Sequence, residues 1–240
     1  MHRLLVETKE LESGSPALST AAAKHLRVLR PREGEEIELF DGAGRVRVCA
    51  YAGGALRPVG EVSVSPRPPA LTLFACVTKG SRWDWTVEKA TELGATRIVP
   101  VISERTIVRI PKDEREAKRE RWMRVAEDAA RQSDANWLPE VLAPVDFAAS
   151  LALAGDTMCF VGALAKPTPQ PLLKALMPML DGHARPPSLF VGPEGDFTPA
   201  ELSALCEVAT PVTFGASILR AETAAIYGLS VIKSFLDAHA

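Results

Sequence analysis

Three prolines fall within five residues at Ser65-Pro66-Arg67-Pro68-Pro69. Each removes a backbone donor and fixes φ near about −65°, so the stretch can be neither a helix interior nor a central strand. It divides the chain into a front segment, 1–68, and a back segment, 71–240, and the hydrophobic pattern changes across the divide. In front of it the pattern has period two. Glu35–Phe40 alternates, Asp41-Gly42-Ala43-Gly44 supplies a turn, and Arg45–Tyr51 alternates again, which is a hairpin signature. His2–Glu7 and Val59–Ser65 read as further strands. Ser19–Arg30 reads as a helix with Ala22, Leu26 and Leu29 on one side.

Behind the prolines, Leu71–Val77 is a continuous apolar run, suited to a strand buried on both faces. Ser81–Leu93 reads as a helix stopped by Gly94, Arg97–Ile102 as a strand, and Asp113–Arg131 as a long charged helix. Thr157–Val161 is a strand, Pro169–Leu180 a helix and Leu189–Val191 a short strand. Thr198-Pro199-Ala200-Glu201 opens a helix with a capping box and a proline at its first position. Val212–Phe214 is a last strand and Glu222–His239 an apolar closing helix. Strands alternating with helices imply an α/β domain with a mostly parallel sheet.

Composition narrows the function classes. No apolar run reaches the roughly 18–20 residues of a transmembrane helix, and residues 1–14 hold too short an apolar stretch for a signal peptide. A cytoplasmic protein with no membrane partner is expected. Cys49, Cys76, Cys159 and Cys206 lie outside metal-knuckle spacing, and His2, His25, His183 and His239 are scattered, so no metal is expected. The net charge of −2 is an average. Residues 1–70 carry +1, residues 71–131 carry +3 and residues 132–240 carry −6. Only the front half suits a polyanion.

Four constellations carry possible chemistry. Leu189-Phe190-Val191-Gly192-Pro193-Glu194-Gly195-Asp196-Phe197 runs from a buried strand into a glycine-rich turn, where open α/β sheets bind ligands. It matches neither a dinucleotide fingerprint nor a P-loop. Phe214-Gly215 leads through an irregular loop to Arg220, Glu222 and Thr223 at the start of the last helix. Glu88 and Glu92 share a helix face after Lys79-Gly80, as an acid–base pair or as a solvated face. The front module offers His25, Arg27, Arg30, Arg45 and Arg47 as polyanion contacts, whereas the cations of 112–124 interleave with acids.

In order and spacing, these segments resemble the RsmE family of ribosomal RNA small-subunit methyltransferases, of the SPOUT superfamily. The resemblance rests on His25-Leu26-Arg27-Val28-Leu29-Arg30, Phe40-Asp41-Gly42, Lys79-Gly80, Glu88-Lys89 with Glu92-Leu93-Gly94, and Ser103-Glu104-Arg105. It continues through Gln132-Ser133, Pro139-Glu140, Gly192-Pro193-Glu194-Gly195, and Ile218-Leu219-Arg220 with Glu222-Thr223-Ala224, nearly the whole chain.

The resemblance implies a PUA-like RNA-binding β-barrel over 1–68 and a SPOUT methyltransferase domain with a trefoil knot over 71–240. It implies S-adenosyl-L-methionine as cofactor, a homodimer, and methylation of N3 of a specific uridine in 16S rRNA of the small ribosomal subunit. Carried over by position, the cofactor residues are Val161, Gly162, Val191, Gly192, Pro193, Glu194, Gly195, Phe214, Gly215, Ser217, Ile218, Leu219, Arg220 and Thr223. Arg220 and Glu222 are the catalytic residues, with Glu222 orienting Arg220 or taking the proton. Arg3, His25, Arg27, Arg30, Lys79 and Arg105 are the RNA contacts. The chain departs from the family pattern at Ser217, where many relatives have arginine, at Ala221, where they have threonine, and at Asp134-Ala135, where they have Gly-Arg. Two other readings stay open: a SPOUT enzyme acting on another rRNA or tRNA site, and a non-catalytic RNA-binding assembly factor.

Overall fold

The computed structural model describes residues 1–181 and 185–239; His183 lies outside the described residues. The chain forms two compact units. One is Met1–Pro68 together with Glu127–Leu138, and the other is Pro69–Ala126 with Pro139–Ala240. The proline segment therefore coincides with the division of the chain, but 127–138 packs with the front unit. The boundaries 1–68 and 71–240, read along the chain, leave that segment on the other side.

The front unit contains β1 (His2–Leu5), α1 (Thr8–Leu11), α2 (Thr20–Leu29), β2 (Glu36–Phe40), β3 (Arg45–Ala52), β4 (Ala55–Pro58) and β5 (Ser63–Val64). They form a five-stranded sheet in the order β1-β2-β3-β4, with β5 also on β3. The strand read over Val59–Ser65 is only Ser63–Val64, and the missed strand Ala55–Pro58 pairs antiparallel with β3. Leu4, Leu26, Ile37, Leu39, Cys49 and Leu56 form its core. Ser19 caps α2 by accepting the Ala22 N–H. Arg30 ends it at φ 49°, a left-handed conformation that glycine normally occupies at this position.

The back unit contains β6 (Thr72–Cys76), α3 (Ser81–Glu92), β7 (Arg97–Ile102), α4 (Arg115–Gln132), β8 (Glu140–Val141), β9 (Val145–Asp146), α5 (Phe147–Ala154) and β10 (Met158–Gly162). It continues with β11 (Gln170–Pro171), α6 (Leu172–Leu176), β12 (Pro187–Val191), α7 (Pro199–Val208), β13 (Thr210–Thr213) and α8 (Ala221–Ala238). The last residues of α4 belong to the front unit. The sheet order is β11-β13-β10-β12-β6-β7-β8, with β9 also on β7, and every pairing is parallel.

Alternation along the central strands makes two cores. Leu73, Phe160 and Leu189 face α3, α6 and α8, joining Trp83, Leu172 and Leu229. Phe74, Val161 and Phe190 face α5 and α7, joining Ala154 and Leu205. Phe74 and Phe190 stack at 4.3 Å between ring centroids. A sheet covered on both faces explains the unbroken apolar runs of β6 and β12. The helix expected over Pro169–Leu180 is instead β11, the short α6 and a 3₁₀ turn. Pro171 and Pro178 account for the break, since neither can donate a helical hydrogen bond.

Candidate functional site

Neighbouring strands β13, β10 and β12 end side by side, and the loops that follow them wall a cleft of about 270 Å³. Ligand sites of open parallel sheets lie at such carboxyl edges. Phe214 forms one wall because two glycines let its ring in. A Cβ on Gly162 would stand 2.6 Å from the ring, and one on Gly228 would stand 3.3 Å from it. Another wall is a tight turn closed by the Asp196 N–H donating to the Pro193 carbonyl at 2.9 Å. Asp196 adopts φ 58°, and its carboxylate accepts the Phe197 N–H at 2.7 Å.

Glu201 holds this turn from behind. It is buried in the first turn of α7, where one oxygen accepts the Thr198 N–H at 3.0 Å and the other accepts the Glu104 N–H at 2.8 Å. Arg105 donates to the Gly195 carbonyl at 3.0 Å, making a second tie between the 103–106 loop and the turn. Arg82, on α3, pairs with Glu194 at 3.3 Å.

Of the residues assigned to the cofactor, Gly162, Val191, Gly192, Pro193, Glu194, Phe214, Gly215, Ser217, Ile218, Leu219 and Arg220 line this cleft. Val161 does not, because its side chain is buried in the core on the α5–α7 face of the sheet. Gly195 meets Arg105 instead, and Thr223 is exposed on α8 away from the lining. Sequence reasoning missed Ala163, Leu164, Asp196, Val212, Thr213, Ala221 and Ala224. Ala221 and Ala224 were findable, being three apart on the helix that Arg220 opens.

With serine at 217, Arg220 is the one cation among the described lining residues. It is exposed, and among the described residues no ion pair or side-chain hydrogen bond engages its guanidinium. Glu222 is buried and makes no ion pair with it, so the orienting role read from sequence has no contact behind it. Glu222 Oε2 is the one carboxylate oxygen among the described residues that is buried without a hydrogen-bond partner. Glu88 and Glu92 both contact Lys89, at 2.8 Å each, and form a solvated helix face rather than an acid–base pair. Among the described residues no group of His, Cys, Asp and Glu is arranged to hold a metal ion.

The RNA candidates separate. Arg3 is a correction: only 4% exposed, it donates to Glu38, to the Ala130 and Ala135 carbonyls and to Asn136, and lies over the Phe40 ring. It ties 127–138 to the first strand and, being buried, is not presented to a phosphate. Asp134, where the family pattern leads one to expect glycine, has φ 56° and lies 3.8 Å from Arg3, so the position has the backbone that glycine favours. Arg27 on α2 and Arg30 at its C-terminal cap are exposed and have no acidic partner among the described residues. His25 is half-buried, and burial first, then Arg131 and His2, hold its pKa below the ordinary 6.5. Lys79 and Arg105 are exposed on the back unit. Of the cations of α4, Arg119 pairs with Glu116, Arg121 with Asp84, Arg115 with Asp146 and Arg131 with Asp128.

The family model described as an RNA methyltransferase domain matches residues 65–233, and the RNA methyltransferase PUA domain matches residues 18–54. The Synechocystis protein called ribosomal RNA small subunit methyltransferase E is 33% identical, over 98% of this chain and 78% of its own. The Bacillus subtilis protein of the same name is 29% identical, over 97% and 96%. Among solved structures, the Neisseria gonorrhoeae ribosomal RNA small subunit methyltransferase E, bound to S-adenosyl methionine, superposes with a TM-score of 0.80. It shares 26% identity, over 98% of both chains.

Proposed function

The chain belongs to the ribosomal RNA small subunit methyltransferase E family, and from that premise we propose that it methylates N3 of a specific uridine in 16S rRNA. It is an S-adenosylmethionine-dependent ribosomal RNA methyltransferase with a PUA domain ahead of its catalytic domain. The observation that carries the reading is the glycine-backed cleft across β13, β10 and β12.

Its residues fit the cofactor. Gly162 and Gly192 let Phe214 and Phe197 pack in close behind the cleft, Leu219 and Val191 offer apolar surface to an adenine face, and Glu194 and Asp196 supply carboxylates for a cationic ligand. Bound there, S-adenosylmethionine supplies an electrophilic methyl group. As the N3 proton leaves, negative charge spreads onto O2 and O4 of the uracil. The Arg220 guanidinium donates to one of those oxygens, leaving N3 open to the methyl group, stabilisation of a kind worth about 10²–10³ in rate. Glu222 lies outside the cleft lining, and its buried Oε2 without a hydrogen-bond partner is the one feature that speaks for it as proton acceptor. The remaining acceleration comes from holding the base in place.

The reading includes a trefoil knot, consistent with β12 and β13 flanking β10 on opposite sides. It includes a homodimer, consistent with exposed Leu164, Leu173, Ile218 and Tyr227 on the back unit. It also includes a cytoplasmic location beside the ribosome. No helix among the described residues is long and apolar enough to cross a membrane. Small subunits from a strain lacking the enzyme, incubated with labelled cofactor and digested for mass spectrometry, test the reaction. One N3-methyluridine in 16S rRNA is the expected product. Label confined to tRNA or another rRNA site favours the wider SPOUT reading, and no transfer at high enzyme favours an assembly factor.

A further inference from the structure

A second concavity, of about 610 Å³, lies wholly within the front unit beside α2. Its walls are apolar, from Leu18, Leu26 and Leu56, with the half-buried aromatic ring of Tyr51 among them. Arg27 and Arg30 complete the lining, which contains no carboxylate. Arg27 is held toward the groove, since its Nε donates to the Ala23 carbonyl at 3.3 Å and Ala23 also lines it. Neither guanidinium has an acidic partner among the described residues, unlike those of Arg115, Arg119 and Arg121 on α4.

A structural role explains only one of the two arginines. A cation in the last turn of a helix complements its dipole, which suffices for Arg27. Arg30 sits beyond the last turn at φ 49°, a position that glycine takes without the steric penalty of a Cβ. An arginine kept in a backbone conformation that disfavours it marks a side chain with a task.

Resting on the reading of the chain as an RNA methyltransferase, we propose that this groove is a subsite for one unpaired nucleotide of the RNA. The base stacks on Tyr51 between the leucines, and Arg27 and Arg30 hold its flanking phosphates. Each part of the ligand follows from the lining. Two free guanidiniums without an acid select an anion, and an aromatic face in an apolar slot selects a flat, π-faced group. A nucleotide in a duplex cannot satisfy both, because its base faces are already stacked. Single-stranded RNA binding of this kind tolerates sequence, so the groove contributes grip and strand state rather than the identity of the methylated uridine.

The test is fluorescence anisotropy of the full chain with a short labelled oligouridylate, with duplex RNA and with heparin as a charge-only probe. Tyr51→Leu, which keeps apolar volume, is expected to weaken oligouridylate binding about tenfold and leave heparin unchanged, while Tyr51→Phe retains wild-type affinity. Arg27→Ala and Arg30→Ala are each expected to weaken all three and to lower the salt slope by about one. Arg30→Gly is expected to lose the same affinity while its melting temperature holds or rises. The proposal is overturned if Tyr51→Leu binds oligouridylate like wild type, or loses heparin to the same extent. It is overturned equally if Arg30→Gly keeps its affinity. These outcomes leave the proposed reaction standing, whereas a wild-type chain that shows the Tyr51 signature but transfers no methyl group to small subunits sinks the reaction and leaves the subsite.

Discussion

The cleft at the ends of β10, β12 and β13 and the groove beside α2 are built from opposite materials. Main chain makes the first. Glycines at 162 and 192 admit neighbouring rings, a turn closes through backbone atoms, and Glu201 pins that turn by accepting backbone N–H groups. Side chains make the second: an aromatic ring, three leucines and two guanidiniums without acids. The contrast teaches what each can recognise. A fixed backbone surface suits one small ligand of constant shape. Long unpaired cations suit a polymer whose phosphates recur and whose bases vary.

That contrast makes separable predictions. The largest effect belongs to Arg220. Arg220→Ala is expected to lower kcat by about 10²–10³ in single-turnover methyl transfer while binding RNA oligonucleotides normally. Full turnover would remove the cation from the mechanism. Next is Arg3, which the structure takes out of the RNA surface. Arg3→Ala leaves Glu38 without its buried partner and is expected to cost about 3 kcal/mol in denaturant unfolding. A stable variant that simply bound RNA less well would restore Arg3 to the surface list.

Gly162→Ala comes third. Its Cβ would meet Phe214 at 2.6 Å, and pushing that ring off the cleft wall at about 1–3 kcal/mol predicts a loss of cofactor affinity of about 5- to 150-fold by calorimetry, with RNA affinity unchanged. The smallest effect is a pH dependence. Because the folded pKa of His25 lies below 6.5, the imidazole is neutral near neutral pH and adds no charge to the RNA surface. The unfolded chain takes up this proton first as pH falls, so the His25 contribution to stability is present above 6.5 and declines below it. His25→Gln should flatten that decline in thermal melts and leave RNA affinity at neutral pH within about twofold.

The two regions also differ in how far the sequence discloses them. The Thr198 capping box is visible because its partners are three residues apart, and both of its hydrogen bonds form. The glycine-rich loops of the first cleft are visible for the same reason. Helix α5 is not: Phe147–Ala154 is apolar almost throughout, so no helical period marks it. Strands β8 and β9 are two residues each and exist only through pairing with β7. In the front unit, function depends on which cations lack partners, and that is decided far along the chain. Arg3 reads as a surface cation until 127–138 is known to pack against it. Arg27 and Arg30 read as polyanion contacts alongside Arg45 and Arg47, and only the lining around them, free of acids, sets them apart. Local chemistry is legible one residue at a time; the state of a side chain that depends on distant neighbours is not.

Hydrogen exchange by mass spectrometry on the full chain, alone, with S-adenosylmethionine and with a single-stranded oligoribonucleotide, tests the division of labour most directly. Cofactor is expected to slow exchange in 191–197 and 213–224 and to leave 16–31 and 51–56 unchanged, and RNA is expected to slow exchange in 16–31 and 51–56. Cofactor protection centred on the α2 groove, or RNA protection that leaves 16–31 and 51–56 untouched, would contradict that division.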